Sequence, residues 1–139
     1  MTSPVLVDAS YLIAIYNRSD PFHRQCMQVN DSLTRPLVTC EPVIAEALHM
    51  LRRRPEAAVS ILASIQQQLL MIPFNLSQSV SSVVEFMGKY SDTPADLADA
   101  CLIHMADELN TGDILTLDSD FRHYRWRKTK PFHLLIPLA

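Results

Sequence analysis

Short apolar runs alternate with longer amphipathic stretches along the whole chain. Val5 to Val7 is an apolar, mostly β-branched run with no polar break, which suits a buried parallel strand. Asp8, Ala9 and Ser10 end it, and Tyr11 to Tyr16 reads as helix. Asp20 to His23 interrupts the pattern, and a second helix is expected from Arg24 to about Leu33. A turn at Arg35 and Pro36 leads to a second short strand, Leu37 to Thr39. Pro42 suits the start of a third helix running to about Arg52. Glu56 to Gln67 is a fourth helix, Leu69 to Ile72 a strand, and Ser77 to Tyr90 a fifth helix. Thr93, Pro94 and Asp96 predict a capped start: threonine as the cap, proline at the first position, aspartate at the third. That helix continues to about Leu109, followed by a turn at Asn110 to Asp113 and strands at Ile114 to Leu117 and His133 to Ile136. Strands alternating with helices predict a three-layer α/β domain, a central and mostly parallel sheet flanked by helices. With no repeat, low-complexity tract or linker, residues 1–139 read as a single domain.

Four carboxylates stand out against this pattern: Asp8, Glu46, Asp99 and Asp118. Each lies at the end or inner face of an apolar segment, where an uncompensated charge is costly. In an open parallel sheet the functional crevice lies beyond the carboxyl ends of the strands. Asp8 and Asp118 each follow an expected strand, and Glu46 and Asp99 lie about one turn into helices. The four can therefore share that crevice, where they would raise one another's pKa. A hard divalent cation relieves such repulsion. Oxygen-only ligands with no His or Cys nearby favour Mg²⁺ or Mn²⁺ over zinc. Such an ion activates water and stabilises charge on a phosphate, so phosphodiester hydrolysis is the natural reaction.

Composition removes other options. The two glycines, Gly88 and Gly112, provide no glycine-rich phosphate loop. Cys26, Cys40 and Cys101 are odd in number and widely spaced, which argues against a disulfide framework or zinc site. The five histidines have no ligand spacing. No apolar run is long enough to cross a membrane and no leader is evident, so a cytoplasmic protein is expected. A net charge of −3 gives no global attraction to nucleic acid, so any such contact must be local. Arg52, Arg53 and Arg54 close a helix, where cations also suit the dipole. Arg122, Arg125, Arg127, Lys128 and Lys130 surround Tyr124 and Trp126. Interleaved cations and aromatics can hold a phosphate backbone and stack bases, or form a solvated loop with one anchoring ring. Leu12, Ile13, Ile15 and Tyr16 serve either the core or a protein interface.

Val5 to Leu12, Glu41 to Leu48, Asp96 to Ala100, and Leu115 to Phe121 form a set of four segments. Together they resemble the PIN domain, and within it the VapC-like toxins of toxin–antitoxin pairs. They occur in the family's order, and Thr116-Leu117-Asp118 followed by Asp120-Phe121 is the most specific. The resemblance implies a PIN-like fold and a metal-dependent endoribonuclease. It makes Asp8, Glu46, Asp99 and Asp118 the catalytic and metal-binding acids, with Ser10 and Thr116 as supporting hydroxyls. Asp96 and Asp120 match acidic positions of part of the family, beside their plain readings as a helix cap and a turn residue. It further implies an RNA substrate, a small antitoxin as partner and a homodimer. A non-toxin RNA-processing nuclease, a non-catalytic binding module of the same fold, and another Mg²⁺-dependent phosphoryl-transfer enzyme remain competing expectations.

Overall fold

A computed structural model describes residues 3–90 and 92–138. Five parallel strands form one sheet: β1 (Val5–Val7), β2 (Leu37–Val38), β3 (Leu70–Met71), β4 (Asp113–Leu115) and, after a separate hairpin, β7 (His133–Leu134). Their order across the sheet is β3-β2-β1-β4-β7. The chain works outward from β1 to β3 and then returns to the other side of β1. The β1–β4 boundary is therefore the topological switch point, where α/β sheets open a crevice. In register, Leu6 faces Ile114 and Val7 faces Leu115 across this boundary.

Among the described residues six helices flank the sheet: α1 (Ala9–Tyr16), α2 (His23–Ser32), α3 (Glu41–Met50), α4 (Pro55–Gln66), α5 (Val80–Lys89) and α6 (Leu97–Leu109). Val5, Leu6 and Val7 are fully buried, as expected for a central strand covered on both faces. Helix α6 is buried nearly all round, from Ala98 through Ala106 apart from half-buried His104. A helix so enclosed is apolar on most sides, and its Asp99 is the exception. Among the described residues no helix is long and apolar enough to cross a membrane.

The structure moves several expected boundaries for identifiable reasons. Helix α1 begins at Ala9, directly after Asp8 in extended conformation. The helix expected from Ser77 starts only at Val80, because Asn75 caps a separate 3₁₀ turn at Leu76–Gln78. Asp96, not Thr93, is the N-cap of α6, and its carboxylate accepts the Asp99 N–H at 2.9 Å. The basic, aromatic segment expected as a loop is an antiparallel hairpin, β5 (Arg125–Trp126) with β6 (Lys130–Pro131). Its turn holds Arg127 and Lys128 at positive φ with no glycine or asparagine to announce it. Asp107 accepts the Arg127 N–H. Trp126 packs its indole where a side chain on Gly112 would stand.

Candidate active site

Asp8 follows β1 and is almost fully buried. Two hydroxyls fix one of its oxygens: Thr116 Oγ1 donates at 2.7 Å and Ser10 Oγ at 3.0 Å. These hydroxyls also order the loop after β4. Ser10 Oγ accepts the Leu117 N–H at 2.9 Å, and Thr116 Oγ1 accepts the Asp118 N–H at 3.0 Å. Thr116 thus joins the ends of β1 and β4 across the switch point. Asp118 lies beyond β4 and caps a 3₁₀ turn, Ser119–Arg122, by accepting the Asp120 N–H at 2.9 Å.

Replacing Thr116 by valine keeps the shape and removes both functions. A buried carboxylate oxygen loses its closest donor and the Asp118 N–H loses its acceptor, a cost of about 1–3 kcal/mol. Urea unfolding should register that loss. A variant as stable as the wild type would mean that the hydroxyl does not organise this junction.

Helices α3 and α6 bring the remaining acids. Asp8, Ser10, Glu46, Asp96, Asp99 and Asp118 line one cleft, with Ile13 and Met50 as its apolar wall. Glu46 is exposed at the rim, contrary to the inner-face position expected from its apolar neighbours. Asp96 is exposed as well, and it both caps α6 and faces the cleft. The tightest grouping is Asp99, Asp118 and Asp120, whose carboxylates can each supply an oxygen within 4.8 Å of the others. Asp120 therefore stands with the inner acids. The sequence pattern gave no sign of Tyr124's part: its buried hydroxyl donates to Asp99 at 3.0 Å. Tyr124 has no exposed surface and Trp126 only 9%, so neither ring is open to stack a base.

The electrostatics are one-sided. Burial, then Asp96 and Asp8, push the Asp99 carboxyl up to about 8, with the Tyr124 hydrogen bond opposing. Burial raises Asp8 despite the bonds from Thr116, Ala9 and Ser10. Glu46 is raised by burial and then by Asp8, Asp96 and Asp118. Burial also raises Asp118, against its bond with Asp120. No cation is among these causes. The ion pairs among the described residues, Arg35–Asp113, His104–Glu108 and His133–Asp113, lie elsewhere. A cluster of acids with raised pKa values and no partner suits a divalent cation held by oxygen. Asp99, Asp118 and Asp120 have the spacing to hold one, with Asp8 beside them.

Four basic residues of the cluster read in the sequence, Arg122, Arg125, Arg127 and Lys128, are differently disposed. Arg122 is exposed and donates to the Leu138 carbonyl, and Arg125 donates to the carbonyls of Arg122 and Tyr124. Arg127 donates to the Asp107 carbonyl, while Lys128 is exposed at the hairpin turn.

Known proteins place this arrangement. The chain is 26% identical over 122 residues to Ribonuclease VapC26 of Mycobacterium tuberculosis, an alignment spanning 86% of this chain and 89% of that protein. Its fold resembles the crystal structure of Mycobacterium tuberculosis VapC20, described as a sarcin–ricin loop cleaving toxin. The TM-score is 0.80 at 19% identity, over 91% of this chain and 99% of the other. The PIN domain model matches residues 5–127, which include every acid of the cleft. The chain belongs to the PIN domain family.

Proposed function

We propose that this protein is a metal-dependent endoribonuclease that hydrolyses RNA phosphodiester bonds, acting as the toxin of a type II toxin–antitoxin pair. The observation that carries this reading is the group of Asp99, Asp118 and Asp120, close together and without a cationic partner among the described residues, with Asp99 and Asp118 lining a cleft at the switch point. Family membership and the similarity to VapC26, a protein named as a ribonuclease, support the same chemistry.

In this reading Asp99, Asp118 and Asp120 hold Mg²⁺ or Mn²⁺ together with Asp8. When bound, such a cation neutralises charge on a phosphate and acidifies water. Ser10 and Thr116 keep Asp8 in one orientation and position the Asp118 backbone. Tyr124 does the same for Asp99. Glu46 stands at the solvent-facing rim, where a carboxylate of raised pKa takes a proton from attacking water. Asp96 adds negative charge while capping the helix that carries Asp99. Arg122, Arg125, Arg127 and Lys128 contribute cationic charge for an RNA strand approaching from the hairpin side. A small antitoxin covering the cleft, a homodimer using the exposed Val80, Val84 and Met87 of α5, and a cytoplasmic location complete the reading.

The test uses purified protein and single-stranded RNA. Cleavage should require Mg²⁺ or Mn²⁺, stop with EDTA and resume when the metal is restored. Expression in bacteria should arrest growth, and Asp118→Asn should relieve the arrest. Cleavage without growth arrest would make it an RNA-processing nuclease, and no cleavage with either metal would make it a binding module.

A further inference from the structure

Beside the acidic cleft lies a second pocket lined by Lys89, Tyr90, Asp92, Thr93 and His123. Two chain segments connect the two. One runs from Asp92 and Thr93 to Asp96 and Asp99; the other runs from Asp118 and Asp120 through the 3₁₀ turn to His123. His123 N–H bonds to the Asp120 carbonyl at 2.9 Å, which ties the pocket's edge to the innermost acids. Its floor is equally well fixed. The Tyr90 ring packs on Tyr124 with centroids 5.2 Å apart, and the Tyr90 hydroxyl accepts the Arg125 N–H at 3.0 Å. Tyr124 in turn holds Asp99.

Three polar groups of this pocket, on Lys89, Thr93 and His123, have no hydrogen-bond or ion-pair partner among the described residues. Among the described residues the Lys89 ammonium has no carboxylate partner and lies 5.5 Å from the Tyr90 ring centroid. The Thr93 hydroxyl and the His123 ring make no hydrogen bond with another described residue. An ammonium, a hydroxyl and an imidazole N–H lining one pocket beside a fixed aromatic floor suit a phosphate group. The acidic cleft repels an approaching strand, so a donor cluster tethered to its acids through His123 and Asp120 would offset that repulsion.

On the nuclease reading above, we infer that Lys89, Thr93 and His123 form a phosphate subsite for the RNA linkage next to the scissile one. The Asp92 carboxylate at its edge opposes the anion and keeps the subsite from holding free phosphate tightly.

The experiment measures fluorescence anisotropy of a labelled single-stranded RNA, in an Asp8→Asn background with Mg²⁺, across a salt series. Lys89→Ala with His123→Ala should weaken binding about five- to tenfold. It should also make the slope of log K against log salt shallower by about 0.7 per lost phosphate contact. Asp92→Asn should tighten binding. Both positions lie at the surface, and thermal melts confirm that the variants fold. An unchanged affinity and slope in the Lys89/His123 variant, with RNA still bound and cut by the unmodified protein, would overturn the subsite alone. Failure of the unmodified protein to bind or cut RNA would overturn the nuclease reading and the subsite with it.

Discussion

Asp99→Asn is expected to abolish RNA cleavage and stabilise the metal-free protein at the same time. Asp99 sits in the first turn of α6, a position that favours negative charge, yet its carboxyl is pushed up to about 8. Burial and the neighbouring Asp96 and Asp8 outweigh the dipole and the Tyr124 hydrogen bond. Asparagine keeps the volume and an oxygen for Tyr124, and it carries no charge to repel. With the open side of the cleft discounted for solvent screening, the gain at neutral pH is about 1–2 kcal/mol. That corresponds to a rise in Tm on the order of 5 °C, measured in EDTA. The gain should vanish near pH 3, where Asp99 is protonated in both folded and unfolded chains. Cleavage should fall by about a thousandfold, or about 4 kcal/mol of barrier, because one of the three grouped carboxylates loses its charge and the oxygen left is held by Tyr124. Single-turnover cleavage of an RNA oligonucleotide measures it. A variant that cuts within tenfold of the wild type would remove Asp99 from the chemistry.

The second large effect is a reversal of the pH dependence of stability by metal. Asp8, Glu46, Asp99 and Asp118 all have folded pKa values above their unfolded ones. The folded chain therefore binds more protons than the unfolded chain between roughly pH 4 and the Asp99 value of about 8. Without metal, stability should rise as pH falls through that window, and Tm should drop on the order of 5–10 °C from pH 5 to pH 8. A divalent cation needs the deprotonated carboxylates, so with saturating Mn²⁺ the trend should invert. Thermal melts with EDTA and with Mn²⁺ over the same pH range decide it. Parallel curves in the two conditions would contradict a metal centre built from these acids. Combining Asp99→Asn with Asp118→Asn should flatten both.

Much of this organisation is legible in the bare sequence. Val5 to Val7 reads as a buried strand because both faces are apolar. Asp8 and Asp118 could be placed at the sheet's carboxyl edge because α/β topology puts strand-end residues there. The order of the strands and the register between Leu6 and Ile114 are set by packing between segments far apart, and periodicity says nothing of them. Local patterning misjudged Glu46: apolar neighbours in sequence suggested burial, but its own position on α3 turns to the rim. It also missed that Asp96 begins α6 as its N-cap, since Thr93 and Pro94 offer an equally good start on paper. The hairpin at Arg125–Trp126 was hidden because its turn uses Arg127 and Lys128 in a backbone conformation that neither residue type advertises. The sequence left Tyr124 open between a base-stacking ring and an anchoring one. Once the hairpin folds back, the ring is buried and its hydroxyl becomes the donor to Asp99.

Thr116 reaches Asp8 across a separation of 108 residues, so the cleft exists only when both ends of that span are made and joined. Folding must close this large loop before any of the acids can cooperate. A ribosome-bound fragment that stops short of Thr116 has β1 and its aspartate but nothing to lock them against. A chain that stops short of Thr116 also lacks Asp118 and Asp120, so it cannot assemble the acidic group.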